Sequence, residues 1–291
     1  MNDNLNGIII VNKEKGFTSH DVVNVMRKIL KTRKVGHTGT LDPEATGVLP
    51  ICFGNATKVA DMITLSDKEY IAELKLGVVT DTQDIWGNVI EEKDVNVNKS
   101  DFEIAIKSFI GNIKQIPPMY SAIKIDGKKL YEYAREGKEI ERKERDVTVY
   151  DIEILKIDNT NASIKVKCSK GLYIRTLCHD IGQKLGFGAC MTSLKRTKSS
   201  VFTLENAYTL DELKEMDIEK VIMPTEDVFM DLPLFRANDE IEKRLINGAV
   251  SSVKLKEGMY RVQNLKGKFF CIGKVYFYNG RNVIKSDKLF L

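Results

Sequence analysis

The chain has 291 residues, 45 Lys+Arg against 41 Asp+Glu, 43% apolar and 30% charged side chains, and a net charge of +4. That composition excludes a disordered chain, and the length allows one large or two unequal domains with enough buried core to need no disulfides. The longest purely aliphatic run, Ile8 to Val11, falls far short of the ~20 residues that cross a bilayer.

Met1-Asn2-Asp3-Asn4 shows no basic region leading into an apolar stretch, so no signal peptide is expected and the expected location is the cytoplasm. Five scattered cysteines form no CxxC pair and only three histidines are present, so reduced thiols and no metal site are expected. The charge is unevenly spread. Residues 1–203 hold 31 basic and 27 acidic side chains, residues 204–231 hold 2 and 9, and residues 232–291 hold 12 and 5. An acidic neck between a near-neutral body and a basic tail suits a polyanionic partner, and equally a plain solvated surface.

Gly7 to Asn12 reads as a buried strand. Ser19 is placed to cap a helix that carries Val22, Val23, Met26 and Leu30 on one face. Lys34 to Pro50 is broken by Gly36, Gly39, Pro43 and Gly47 and reads as loop. Asn55 is placed to cap a short helix through Val59 and Ile63, and Tyr70 to Val78 alternates as a strand. Ser100 and Glu103 form a capping box ahead of Phe102 and Ile106. Residues 115–145 open on Pro117-Pro118 and mix three tyrosines with eight basic and six acidic residues, an excursion from the core. Strands follow at Val147–Ile154 and Ser163–Cys168, then a helix from about Leu172 that stops at Gly186. Thr209 and Glu212 form another capping box. Beyond residue 231 a short helix and runs at Val250–Leu255, Met259–Gln263, Phe269–Val275 and Asn282–Ile284 read as a small β domain. This mixture argues for an α+β protein rather than a doubly wound sheet.

Several motifs are absent. There is no P-loop, Gly186-Phe187-Gly188 lacks the third glycine of a dinucleotide site, and Ser19-His20-Asp21 are sequence neighbours that do not face one another. The informative stretch is Gly36 to Gly47, which reads Gly-His-Thr-Gly-Thr-Leu-Asp-Pro-Glu-Ala-Thr-Gly. Pro43 drives Asp42 out of the α region and projects its carboxylate from extended backbone. The same pair is also a common helix start, with Asp42 as N-cap and Pro43 at N1, and the Gly/Thr content would equally suit an anion nest.

This loop closely resembles the catalytic loop of the TruB family, the tRNA pseudouridine-55 synthases. The resemblance extends through Asn12 to Ser19, Lys68-Glu69-Tyr70, Gly77 to Asp84, Gln115 to Tyr131, Lys170 to Leu177 and Leu194 to Thr197. Two positions depart from the pattern. Glu14 stands where proline is usual, and Ser200 where glycine is usual, which puts the local bends in doubt.

The resemblance implies a pseudouridine synthase fold with a mixed, mainly antiparallel sheet. Residues 1–231 would be the catalytic domain with a thumb at about 115–145, and residues 232–291 a PUA-like RNA-binding domain. It implies isomerisation of uridine 55 in the tRNA T loop without a cofactor, by a monomer that flips the base out of the RNA. Asp42 would be the catalytic carboxylate, acting as nucleophile or as base. Arg175 would orient that carboxylate, and Tyr70 would stack on the uracil near C5. His37, Thr40, Lys13, Leu194, Tyr120, Lys124 and Tyr173 would contact the RNA or the base. A tRNA-folding chaperone without essential catalysis is the second function such a chain would serve.

Overall fold

A computed structural model describes residues 5–291; Met1 to Asn4, where no leader is expected, lie outside the described residues. The first half runs β1 (Gly7–Lys13), α1 (Ser19–Ile29), β2 (Val35–His37), β3 (Thr46–Phe53), α2 (Ala60–Thr64), β4 (Lys68–Leu76), β5 (Val78–Thr80), β6 (Val89–Glu92), α3 (Lys99–Lys107) and β7 (Gly111–Gln115). Then come β8 (Lys124–Ile125), β9 (Lys128–Lys129), α4 (Leu130–Arg135), β10 (Arg145–Asp158), β11 (Asn161–Cys168), α5 (Ile174–Lys184), β12 (Ala189–Ser199), β13 (Phe202–Thr203) and α6 (Leu210–Glu215). The tail holds β14 (Leu234–Ala237), α7 (Asp239–Ile246), β15 (Ser251–Ser252), β16 (Gly258–Asn264), β17 (Phe269–Tyr278) and β18 (Arg281–Leu289).

The main sheet has the order β1-β3-β12-β4-β11-β10-β7, with β2 and β13 paired at its margin. All its pairings are antiparallel except β3 with β12, so the α+β class and the mixed, mainly antiparallel sheet are those expected. The strand β1 explains its own unbroken apolar run. Ile9 and Val11 face a core shared with α1, α3, α5 and α6, whereas Ile8 and Ile10 face a second core with Val59, Ile63, Phe229, Ile272 and Phe290. A strand covered on both faces has no polar side to alternate with.

The tail forms its own five-stranded sheet, β14-β16-β17-β18-β15, around Leu245, Val262, Phe270 and Ile284, the PUA-like β unit. Ile272 and Phe290 dock that unit on the back of β1 and β3. The acidic neck lies against the β1 edge. Ile8 and Met223 exchange backbone hydrogen bonds at 3.0 and 2.8 Å, and Tyr208 bonds Ile10 and Asn12 at 3.0 and 2.8 Å. An otherwise open strand edge is thereby paired.

Local differences have local causes. The cap of α1 is Thr18, not Ser19, in a capping box with Asp21; α3 is capped by Asn98, not Ser100; Asn55 caps nothing, because the chain enters a 3-10 turn at Gly54. The stretch expected to be loop up to Pro50 already contains β2 and most of β3. Pro50 is tolerated in β3, opposite Ile10, where its carbonyl accepts from Thr38 N at 3.2 Å. Residues 124–135 form a small hairpin and helix outside the main sheet, as an excursion should. Neither motif departure loosens its bend. Ser200 adopts the left-handed φ of 57° that a glycine would favour, and Gly16 N holds Pro43 O at 3.0 Å despite Glu14.

The parallel contact of β3 with β12 brings Gly47 directly against Arg196. Gly47 has φ +104°, and a Cβ there would lie 2.2 Å from the Arg196 carbonyl oxygen. Gly47→Ala is expected to destabilise the chain by about 3 kcal/mol, read from guanidinium unfolding midpoints; an unchanged midpoint would show that the two strands separate at no cost.

Candidate active site

The site starts from a loop that is held rather than free. Ser19 Oγ accepts from Leu41 N at 2.8 Å and donates to Leu41 O at 3.1 Å. Ala45 N closes a turn on Asp42 O at 3.1 Å, and β3 follows directly, so the alternative of Asp42 as a helix N-cap does not apply. Beneath the turn, Lys13 is fully buried, and its Nζ donates to the carbonyls of Glu14, Phe17 and Pro43 at 2.9, 2.6 and 2.9 Å. The resemblance sets Lys13 against RNA, but its ammonium is buried and taken up by these carbonyls, where it holds Pro43, the residue after Asp42. Arg196, also buried, donates to Val48 O at 2.7 Å and Gly39 O at 3.2 Å, holding the other end of the same loop.

Asp42 then meets Arg175 through a two-pronged contact. Nε lies 3.0 Å from Oδ2 and Nη2 3.4 Å from Oδ1. The Arg175 side chain is 5% exposed and that of Asp42 39% exposed, so the carboxylate is open to a ligand and its partner is not. Arg175 also donates to Thr82 O at 3.0 Å and Tyr120 O at 2.7 Å, and lies 3.5 Å from Asp84 Oδ2. Burial raises the Asp84 carboxyl above its ordinary value, while Thr82 and Arg175 oppose the shift. Helix α5 presents Arg175 in its first turn. Tyr173 caps the helix through its backbone, donating to Gln115 Oε1 at 2.8 Å and accepting from Gln115 Nε2 at 3.1 Å.

The other predicted residues divide by exposure. Tyr70 sits on β4 opposite Arg196 and is partly exposed; burial raises its hydroxyl, with Arg196 opposing, so it is a neutral phenol at neutral pH. Leu194, 8% exposed on β12, belongs to the main core, which also includes Leu41 and Ala45. His37 lies on β2 with Nδ1 buried and unpartnered among the described residues; burial first, then Arg196, lowers its pKa. Thr40 and Lys124 are exposed and Tyr120 and Tyr173 half-buried, with burial raising the Tyr173 hydroxyl. Tyr120 reaches the site through its carbonyl.

Residues 27–174 match the model for the TruB family pseudouridylate synthase N-terminal domain, and residues 175–230 that for the tRNA pseudouridylate synthase B C-terminal domain. The chain belongs to the TruB family. A tRNA pseudouridine synthase B of Alkaliphilus oremlandii is 51% identical over 250 residues, 84% of this chain and 82% of that one. A protein of the same name from Clostridium novyi is 45% identical over 293 residues, covering 99% of this chain and all of that one. Among solved structures, a chain of a Cbf5-Nop10-Gar1 complex superposes with a TM-score of 0.74 at 30% identity, covering 98% of this chain and 85% of that chain.

Within this TruB-family site, Asp84, Arg196, Ser19 and Gln115 carry no site role in the sequence pattern, although all four lie in the motifs that bear the family resemblance. Their function is to satisfy partners distant in sequence, which no local pattern displays. The described residues contain no group of three His, Cys, Asp or Glu side chains placed to hold a metal ion.

The buried ammonium of Lys13 is lowered from its ordinary 10.5 to about 8, because burial outweighs the attraction of Asp42 and Glu44. The unfolded chain therefore keeps this proton to a higher pH than the folded chain, and stability rises with pH between the two values. Relative to Lys13→Met, the native chain is expected to gain up to about 3 kcal/mol from pH 8 to above 10.5, measured by urea midpoints. A constant difference would show that the three carbonyls keep the lysine charged.

Proposed function

We propose that this chain converts uridine 55 of the tRNA T loop to pseudouridine, as a monomer in the cytoplasm. The observation that carries the reading is the contact of the open Asp42 carboxylate with the buried Arg175 guanidinium. Supporting it are the relatives named tRNA pseudouridine synthase B. In the reaction the C1′–N1 bond breaks, the uracil turns, a C1′–C5 bond forms, and the proton lost from C5 is balanced by one gained at N1. A single carboxylate held in one direction serves the first step, as nucleophile or as base, because its orientation is set before the RNA arrives.

The neighbouring groups fit the needs of a flipped base. Extrusion from the T loop costs a few kcal/mol of unstacking. Tyr70, partly exposed, offers its ring for the uracil, stacking that is worth about 1–3 kcal/mol. Leu194 supplies an apolar wall, and His37 and Thr40 stand on the loop that enters the space vacated in the RNA. Tyr120, Lys124 and Tyr173 belong to the thumb and its hinge, which close over the RNA. Residues 1–231 form the catalytic unit in this reading, and residues 232–291, with 12 basic side chains against 5 acidic, follow the phosphate backbone.

Asp42→Asn keeps the shape of the side chain and removes its charge. It is expected to lower tritium release from C5-labelled uridine in a T-arm RNA at least about a thousandfold, while gel-shift affinity stays within about threefold. Turnover at the native rate would exclude Asp42 as the catalytic group, and a native chain that releases no tritium would favour a folding chaperone. Because phosphate contacts release counterions, affinity for the same RNA is expected to drop at least about tenfold between roughly 50 and 200 mM salt. A flat salt response would remove the basic tail from the RNA interface.

A further inference from the structure

We propose that Trp86 is a stacking platform for a base that flanks the target uridine, fixed at the rim of the Asp42 site. The inference rests on the proposed RNA-modifying function and adds a contact that the function alone does not require. Trp86 is the sole tryptophan of the chain and is 43% exposed. Lone exposed hydrophobics are ordinary; a rigidly mounted one beside a reaction centre is not.

The mounting is built from the turn between β5 and β6. Asp81 accepts from Asn88 N at 2.8 Å and from Asn88 Nδ2 at 3.0 Å. Ile85 N donates to Met191 O of β12 at 2.9 Å, and Trp86 N donates to Asp84 Oδ1 at 3.2 Å. Gly87 fits against Thr82, whose Oγ1 would lie 2.2 Å from an added Cβ. The indole therefore extends from backbone fixed to the central sheet.

Two separate paths connect this ring to Asp42. On one side Asp84 lies 3.5 Å from Arg175, which in turn grips Asp42. On the other, Lys15 Nζ stands 5.0 Å over the indole and pairs with Glu44 at 3.1 Å, two residues beyond Asp42. The paths close into a ring of contacts with the open carboxylate on one side and the exposed indole on the other. A base pulled from a stacked loop leaves its neighbours without partners, and an indole serves any of them, since every base has a π face. The Lys15 ammonium over the ring, shared with Glu44, makes this rim charged rather than apolar, which favours RNA as the occupant over an apolar protein segment.

Because Trp86 is the only indole, intrinsic fluorescence reads this one ring. In the full-length Asp42→Asn chain, titration with a uridine-containing T-arm hairpin is expected to quench the emission in step with binding followed by RNA anisotropy. In the otherwise native chain, Trp86→Ala is expected to raise KM about tenfold with kcat changed less than about twofold, and Trp86→Phe to recover most of the loss. Unchanged emission at saturating RNA, or a native KM in Trp86→Ala, would overturn the platform while leaving the isomerase reading intact. A native chain that isomerises no uridine would overturn that reading, and this inference with it. Should Trp86→Ala fold poorly, the fluorescence titration and Trp86→Phe still decide the matter.

Discussion

A guanidinium that is almost fully removed from water needs acceptors for its N–H groups, and Arg175 finds them on three segments that are far apart in the chain. Asp42 comes from the loop before β3, Thr82 and Asp84 from the turn after β5, and Tyr120 from the start of the thumb. Loss of any one acceptor would leave a buried donor unsatisfied, a cost of about 1–3 kcal/mol. The loop, the turn and the thumb hinge are thus bound to one geometry by one side chain. The constraint acts in both directions: α5 must begin where it does for Arg175 to reach all of them, and Gln115 secures that start through both backbone polar groups of Tyr173.

Beneath this junction lies an unusual concentration of buried cations. Lys13, Lys68 and Arg196 are all removed from solvent, and backbone carbonyls rather than carboxylates satisfy them. Burial lowers Lys13 and Lys68 to about 8. Carbonyl ligation fixes backbone where a salt bridge would fix only another side chain. Lys13 and Arg196 hold the two ends of the Asp42 loop in this way, and Lys68 closes the end of α2 just before Tyr70. The rigidity of the loop is a consequence of charge placed where it must find oxygen.

The uneven charge of the chain has a structural counterpart. The acidic neck is not a free linker but the strip that completes the β1 edge, and Glu226 within it pairs with Arg261 of the tail at 2.8 Å. Part of the tail's positive charge is spent on that joint, and the remainder stays on its surface.

The periodic features were legible from sequence because they depend on neighbours in the chain. Ile8 to Val11, the alternation from Tyr70 to Leu76, the capping box at Thr209 and the stop at Gly186 all stand where the pattern puts them, but Gly77, at φ 82°, ends that strand and Val78 opens β5 in a separate sheet. Errors came where a distant partner took over a local signal. Ser19 resembles a helix cap, but Leu41 uses its hydroxyl, so Thr18 caps instead. Glycine and proline concealed β3, whose irregular residues fit only because Arg196 and Thr38 lie across from them. The ordered motifs by themselves singled out Asp42 and the family. Tertiary structure alone decided that Lys13 faces inward, that Arg175 ties three distant segments to α5 and that Trp86 stands at the rim. A buried cation is placed by the acceptors that reach it, and those acceptors meet only after the sheet has brought distant strands together.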